Sequence, residues 1–168
     1  MITEPWSDEL TEGILAGFPA KNIEFAQYRG QRFLSLPAGL TVPVLETLKH
    51  DFQFNYLVDV TAVDYPNRAE RFDLIYIVYS FARNLRIRLK TQLPEHTPAL
   101  SATPVHPTAN WLEREVYDMF GIEFAGHPNL KRILLPEEWT GFPLRKDYSI
   151  IQQDTGWVQK NLGIESGQ

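Results

Sequence analysis

The 168-residue sequence contains no cysteine. Disulfides, thiolate-ligated iron–sulfur clusters and thiol nucleophiles are therefore excluded from this chain. A long hydrophobic run is missing as well: the longest uncharged apolar stretch, Leu74 to Ala82, has nine residues, whereas a spanning helix needs about 20. The opening Met-Ile-Thr-Glu-Pro-Trp-Ser-Asp-Glu is acidic where a secretory signal is basic, and no apolar h-region follows. The expectation is a protein that stays where it is made and reaches a membrane only by holding onto something else. Positive charge is also in deficit. Sixteen Lys+Arg against 21 Asp+Glu give a net charge of -5, the wrong sign for a protein that mainly binds nucleic acid or an anionic bilayer.

What is present fits a globular protein. With 43% hydrophobic and 22% charged residues, the chain can bury a core, and its length suits one domain. Ser7 to Ala16 shows helical spacing at Leu10, Ile14 and Leu15, with Ser7 as expected N-cap and Gly17 as stop. Ile23–Gln27 and Arg32–Leu36 flank Tyr28-Arg-Gly-Gln and read as a hairpin. Thr41 is an expected cap for a helix with Pro43 in its first turn and Val44, Leu45 and Leu48 facing inward. Three segments rich in Val, Ile, Tyr and Phe follow: Phe54–Ala62, Phe72–Phe81 and Leu85–Leu89. Their short connections favour antiparallel pairing. The second is apolar on both faces and reads as interior, while the third alternates strictly and predicts one wet face. Pro94, Pro98, Pro104 and Pro107 then interrupt a nearly uncharged stretch, predicted to lie against the domain. The fold class expected is α+β: a single domain over residues 1–150, with a mostly antiparallel sheet, packed helices and an irregular extended C-terminal segment, and a tail over 151–168.

The most informative segment runs from Asn110 to Tyr148. Asn110 and Glu113 have N-cap and N3 spacing, and Gly121 stands where a helix ends, so Trp111–Phe120 reads as a short helix. On a wheel turning about 100° per residue, Trp111, Leu112, Val116, Met119 and Phe120 fill one half and Glu115 falls among them. This predicts that Glu115 is at least half buried and bonded to an Arg or Lys, with Arg132, Arg145 and Lys146 as candidates. Arg114 and Asp118 are expected to pair along the outer face at i,i+4. The carboxylates lack a nucleophile, metal-ligand set or glycine-rich phosphate loop beside them. No catalytic, cofactor-binding or metal-binding residue is assigned. His127, in Gly-His-Pro, suits a backbone contact better than a metal, and His50, His96 and His106 show no ligand spacing with it. Trp139, Phe142, Tyr148 and Arg145 lie in Pro- and Gly-broken chain, a composition that docking surfaces use.

Three spaced blocks carry a family resemblance: Glu113-Arg-Glu-Val-Tyr-Asp-Met-Phe-Gly-Ile, Gly126-His-Pro-Asn-Leu-Lys-Arg-Ile-Leu and Pro143-Leu-Arg-Lys-Asp-Tyr. In that order they resemble the 30-kDa subunit family of respiratory complex I, the C-type subunit of bacterial NADH:quinone oxidoreductase, with the cyanobacterial and plastid J-type subunit as a relative. Asp59-Val-Thr-Ala-Val-Asp-Tyr-Pro and Arg71-Phe-Asp-Leu-Ile-Tyr extend the likeness upstream. The family motif falls on Glu113, Arg114, Glu115, Asp118, Gly121, His127, Pro128, Arg132, Pro143, Arg145, Lys146 and Asp147, which the resemblance assigns to folding and docking. It implies a peripheral-arm subunit on the cytoplasmic face of the bacterial inner membrane, touching the membrane only through the complex. Its partners would be the 49-kDa-type quinone-site subunit and cluster-bearing subunits. It implies no cofactor in this chain; FMN, iron–sulfur clusters and quinone would belong to neighbours that carry electrons from NADH. The chain stops 20 residues after Tyr148, so contacts made by longer C-terminal extensions are expected to be missing.

Two other functions compete. The equivalent subunit of a membrane-bound hydrogenase or formate hydrogenlyase shares the motif, although the upstream sequence is closer to the respiratory form. A stand-alone acid/base hydrolase would use Glu113 and Glu115 as its paired carboxylates.

Overall fold

The computed structural model describes residues 3–19, 22–149 and 155–163. A two-residue strand, β1 (Glu4–Pro5), leads into helix α1 (Glu9–Gly17). Asp8, not Ser7, is the N-cap: its Oδ1 accepts from the backbone N–H groups of Leu10 and Thr11 at 3.0 and 3.2 Å, and its own N–H donates to Thr11 Oγ1 at 3.0 Å. The displacement by one residue follows from Thr11, which completes a reciprocal cap only with Asp8. The predicted hairpin is β2 (Glu24–Tyr28) and β3 (Gln31–Ser35). Arg29 and Gly30 turn it at φ 49° and 73°, the double positive φ of a tight reversal. Helix α2 (Thr41–His50) buries Val44, Leu45 and Leu48 as expected, but Leu40 occupies the N-cap position and Thr41 is the first helical residue, its side chain enclosed. A 3-10 turn over Ala38–Leu40 sets that entry, which leaves no extended residue for a side-chain cap.

The three apolar segments form β4 (Tyr56–Asp64), β5 (Phe72–Ser80) and β6 (Leu85–Leu93), paired antiparallel in sequence. The six-stranded sheet has the order β1-β2-β3-β6-β5-β4. Every pair is antiparallel except β3 with β6, which are joined through α2, β4 and β5, a connection long enough for a parallel crossover. Strand β5 is interior, as its apolar sequence requires. Strand β6 is also central, and its alternation buries Ile87, Leu89 and Leu93 while turning Arg86, Arg88 and Lys90 to the other face. The inner face, with Leu74, Tyr76 and Val78 of β5, packs with Leu10, Ile14, Val44 and Leu45 from the helices in one core.

After β6 the proline-interrupted chain does lie against the domain. It places β7 (Ala99–Leu100), which pairs in parallel with β8 (Phe124–Ala125) on the far side of helix α3 (Ala109–Phe120). Residues 126–149 form the expected irregular segment. Within the expected tail lies helix α4 (Thr155–Leu162), while residues 150–154 and 164–168 of that segment fall outside the described residues.

Candidate functional site

Helix α3 begins two residues earlier than Trp111, so Asn110 is inside it and the N-cap position falls to Thr108, whose side chain makes no capping bond. Glu113 therefore does not close a capping box. It points inward, fully enclosed, and accepts from Ser101 Oγ at 2.7 Å and from the Ala102 N–H at 2.6 Å. Burial pushes its pKa up to about 7 against those two bonds.

The expectation for Glu115 is overturned. Glu115 is exposed, and it has no cationic partner among the described residues. Trp111, four residues earlier on the same stripe, is also exposed at 62%. The expected outer-face pair is overturned too: Arg114 and Asp118 are both buried. Both errors share one physical cause. The helix buries two faces: one, with Ala109, Glu113, Val116 and Phe120, against the sheet, the other, with Arg114 and Asp118, beneath the returning chain. A wheel that assumes a single buried half cannot represent this.

The returning chain is fastened by charge. Arg114 donates to the Lys131 and Arg132 carbonyls at 3.2 Å each. Asp118 accepts from Arg132 Nη1 at 2.6 Å and from the N–H groups of Ile133, Leu134 and Leu135 at 3.0, 2.7 and 2.9 Å. Burial alone would raise the Asp118 pKa; the Leu135 N–H, Arg132 and the other two N–H donors outweigh it and hold the carboxyl below its ordinary range. His127 Nδ1 accepts from the Asn129 N–H at 3.0 Å, which leaves Nε2 to donate to the Asn110 carbonyl at 3.1 Å. The imidazole thus bonds backbone on both sides, as expected, and with exposed Pro128 shapes the turn after β8.

A second fastening joins Pro143–Asp147 to the sheet. Arg71 forks onto Asp64 at 2.7 and 3.0 Å and also reaches Glu95 at 2.9 Å and Asp147 at 2.8 Å. Arg145 bonds Glu95 at 2.7 Å and the Phe120 carbonyl at 2.5 Å, while the Lys146 N–H donates to Asp64 at 2.7 Å. Arg71 holds the Asp64, Glu95 and Asp147 carboxyls below their ordinary pKa values. Gly121, at φ 73°, leaves room for Phe142 and Arg145: a Cβ there would lie 2.5 Å from the Phe142 ring. Asp64, Arg71, Glu95 and Ser101 were not assigned from the sequence. The available signal was an Asp ending one apolar strand and an Arg opening the next, two groups that a hairpin brings together.

Glu113 is enclosed by the core while Glu115 faces solvent, so the two carboxylates cannot share a substrate and the paired-acid hydrolase reading fails. Among the described residues, no group of three or more His, Asp or Glu side chains could hold a metal ion. The chemistry available is that of a charge-locked segment presenting the exposed side chains of Leu134 and Leu144, with exposed Trp111 on helix α3.

Residues 34–154 match the family described as the respiratory-chain NADH dehydrogenase 30 Kd subunit. The chain belongs to this family. Its match spans both fastenings of the returning segment. The chain is 44% identical over 151 residues to the C subunit of the NADH-quinone oxidoreductase of Phenylobacterium zucineum (strain HLK1), covering 90% of this chain and 68% of that protein. It is 40% identical over 141 residues to the C/D subunit of the NADH-quinone oxidoreductase of Bdellovibrio bacteriovorus (strain ATCC 15356 / DSM 50701 / NCIMB 9529 / HD100), covering 83% of this chain and 25% of that protein. The chain thus spans about two thirds or less of several curated relatives' lengths. The 30 Kd subunit fold also matches a chain in the structure of the membrane-bound sulfane sulfur reductase, an archaeal respiratory membrane complex, with a TM-score of 0.72 over 93% of this chain and 91% of that one. At 24% identity, that likeness concerns the fold alone.

Proposed function

We propose that this 30 Kd subunit is a docking and support element in the peripheral arm of a proton-translocating NADH:quinone oxidoreductase. It carries no cofactor of its own; FMN, iron–sulfur clusters and the quinone site belong to neighbouring subunits, which pass electrons from NADH to quinone. The observation that carries this reading is the double fastening of residues 130–148. Asp118 and Arg71 fix an irregular segment against the domain, so that Leu134 stands 61% exposed on a rigid support, while Trp111 of helix α3 is 62% exposed. Such pre-ordered aromatic and aliphatic groups suit anchors in an interface. The alignment with a protein named for both C and D subunits supports a quinone-site, 49-kDa-type subunit as one partner, with cluster-bearing subunits as others. No helix among the described residues is long and apolar enough to cross a membrane, which fits attachment to the cytoplasmic face of the bacterial inner membrane through those partners. The 40–44% identities with quinone-reductase subunits favour this reading over the hydrogenase-type equivalent.

The test replaces Trp111→Ala together with Leu134→Ser, both exposed positions, with circular dichroism checking that the variant folds. Blue-native electrophoresis of membranes should show less of the large complex, with NADH:quinone activity falling in proportion. Normal assembly with a selective loss of turnover would overturn the proposal.

A further inference from the structure

The sheet face opposite the helices is open toward one end: Asp73 on this face is buried against Arg68 and Lys90, whereas Tyr56 and Arg86 are exposed. Its register places Tyr56, Tyr79 and Arg86 in one cross-strand row, Asp59, Ile77, Arg88 and Phe33 in the next, and Thr61, Ile75, Lys90 and Ser35 in a third. At one end the rings of Tyr56, Tyr79 and Phe81 cluster, with Phe81 centred 5.8 Å from Tyr56 and 4.8 Å from Tyr79. Phe81 is nonetheless 73% exposed and Tyr56 49%. Lys90 lies 3.7 Å from Asp73. Arg86 and Arg88 have no ion pair or hydrogen bond among the described residues, and the nearest acid in the Arg88 row, Asp59, lies beyond the intervening Ile77 strand.

We propose that this end of the outer sheet face, comprising Tyr56, Tyr79, Phe81, Arg86 and Arg88, is a second docking surface that takes an acidic segment of a neighbouring subunit. The proposal rests on the reading of the chain as a component of a larger assembly. Unpaired guanidinium groups beside exposed rings form the composition that anchors interfaces, and their fork geometry matches carboxylates. Charge selects the partner. Arg86 and Arg88 give this end of the face a local positive charge that attracts carboxylates, and in an assembly of subunits the carboxylates at hand are those of a neighbouring protein surface. A second copy of this chain is disfavoured, because an isologous contact would set Arg86 and Arg88 against themselves.

The test places the photoreactive residue p-benzoylphenylalanine at position 81 of the full chain, irradiates membranes, and maps adducts in the complex-sized native-gel band by mass spectrometry. The expected adduct is a segment of another subunit with Asp or Glu beside the attachment point. Arg86→Glu with Arg88→Glu should lower its yield at least about tenfold, and changing the mapped acids to Lys should restore it. Circular dichroism of the isolated variant reports whether the fold persists. A chain absent from any large band overturns both this proposal and the assembly reading. An assembled chain whose adduct is lipid, nucleic acid, a second copy or a segment without acids overturns this proposal alone, as does no adduct or a yield unmoved by the charge reversal.

Discussion

Asp118 and Arg132, fourteen residues apart, meet at 2.6 Å, and the Asp118 side chain is completely enclosed. The same carboxylate accepts three consecutive backbone N–H groups from Ile133 to Leu135. One side chain thus orders a segment that has no regular secondary structure, supplying the acceptors that a helix or sheet would otherwise provide.

Replacing that carboxylate should loosen the whole segment. Asp118→Asn retains size but loses the charge and puts N–H donors where acceptors are needed, facing enclosed N–H groups and Arg132. The expected destabilisation is about 3 kcal/mol or more, read as a lower urea midpoint of the isolated chain. A shift under about 0.5 kcal/mol would mean that the segment is held by packing instead.

How far the sequence reveals this arrangement depends on the range of the signal. The hairpin, α2 and strands β4 to β6 were legible because their periods and turn residues are local. Helix α3 was legible as an element but not in orientation: Arg114 and Asp118 are buried instead of facing outward because residues 130–135 cover a second face of the helix, and that contact leaves no trace in helical periodicity. The Asp64–Arg71–Glu95–Asp147 cluster joins residues from four separate stretches. Only the family resemblance marked Asp147, and it named no partner. The β3–β6 pairing is non-local in the same way, since nothing in either strand encodes its neighbour.

Gly121 gives a purely steric test. Its φ of 73° disfavours any residue with a Cβ, and the added atom would meet Phe142 at 2.5 Å and Arg145 Nη2 at 2.8 Å. Gly121→Ala should cost about 2 kcal/mol or more from backbone strain and overpacking together. It should also expose Phe142, measured as faster proteolysis between Leu130 and Tyr148. Unchanged proteolysis would show that the ring and guanidinium can shift at little cost.

Arg71 should be irreplaceable even by lysine, because a single ammonium cannot fork onto Asp64 while reaching Glu95 and Asp147. Arg71→Lys is expected to cost about 2–3 kcal/mol in urea unfolding at neutral pH. Acid should mimic the change. The pKa values of Asp64, Glu95 and Asp147 are lowered in the folded state from 3.8, 4.5 and 3.8, so their contribution is complete above the unfolded values and is lost as pH falls through the folded ones. The wild-type urea midpoint should therefore drop steeply below about pH 4, and that of Arg71→Ala less so. Parallel acid profiles would contradict the assignment.

Glu113 should give the opposite pH dependence. Its folded pKa of about 7 lies above the ordinary 4.5, so between these values the folded chain binds more protons than the unfolded one. Stability then declines as pH rises through that window and levels off above about 7, where both states are ionised. Glu113→Gln keeps the shape: the amide oxygen can accept from the Ala102 N–H and the amide nitrogen can donate to Ser101 Oγ, with no charge to bury. The variant should lose the decline and equal or exceed wild-type stability at pH 8, whereas Glu113→Ala, which orphans the Ala102 N–H, should be less stable at every pH. The measurement is the urea midpoint of all three proteins from pH 5 to 8. Wild-type stability that stays flat or rises across this interval would mean that Glu113 is already ionised in the folded chain, and that the bonds from Ser101 and Ala102 outweigh its desolvation.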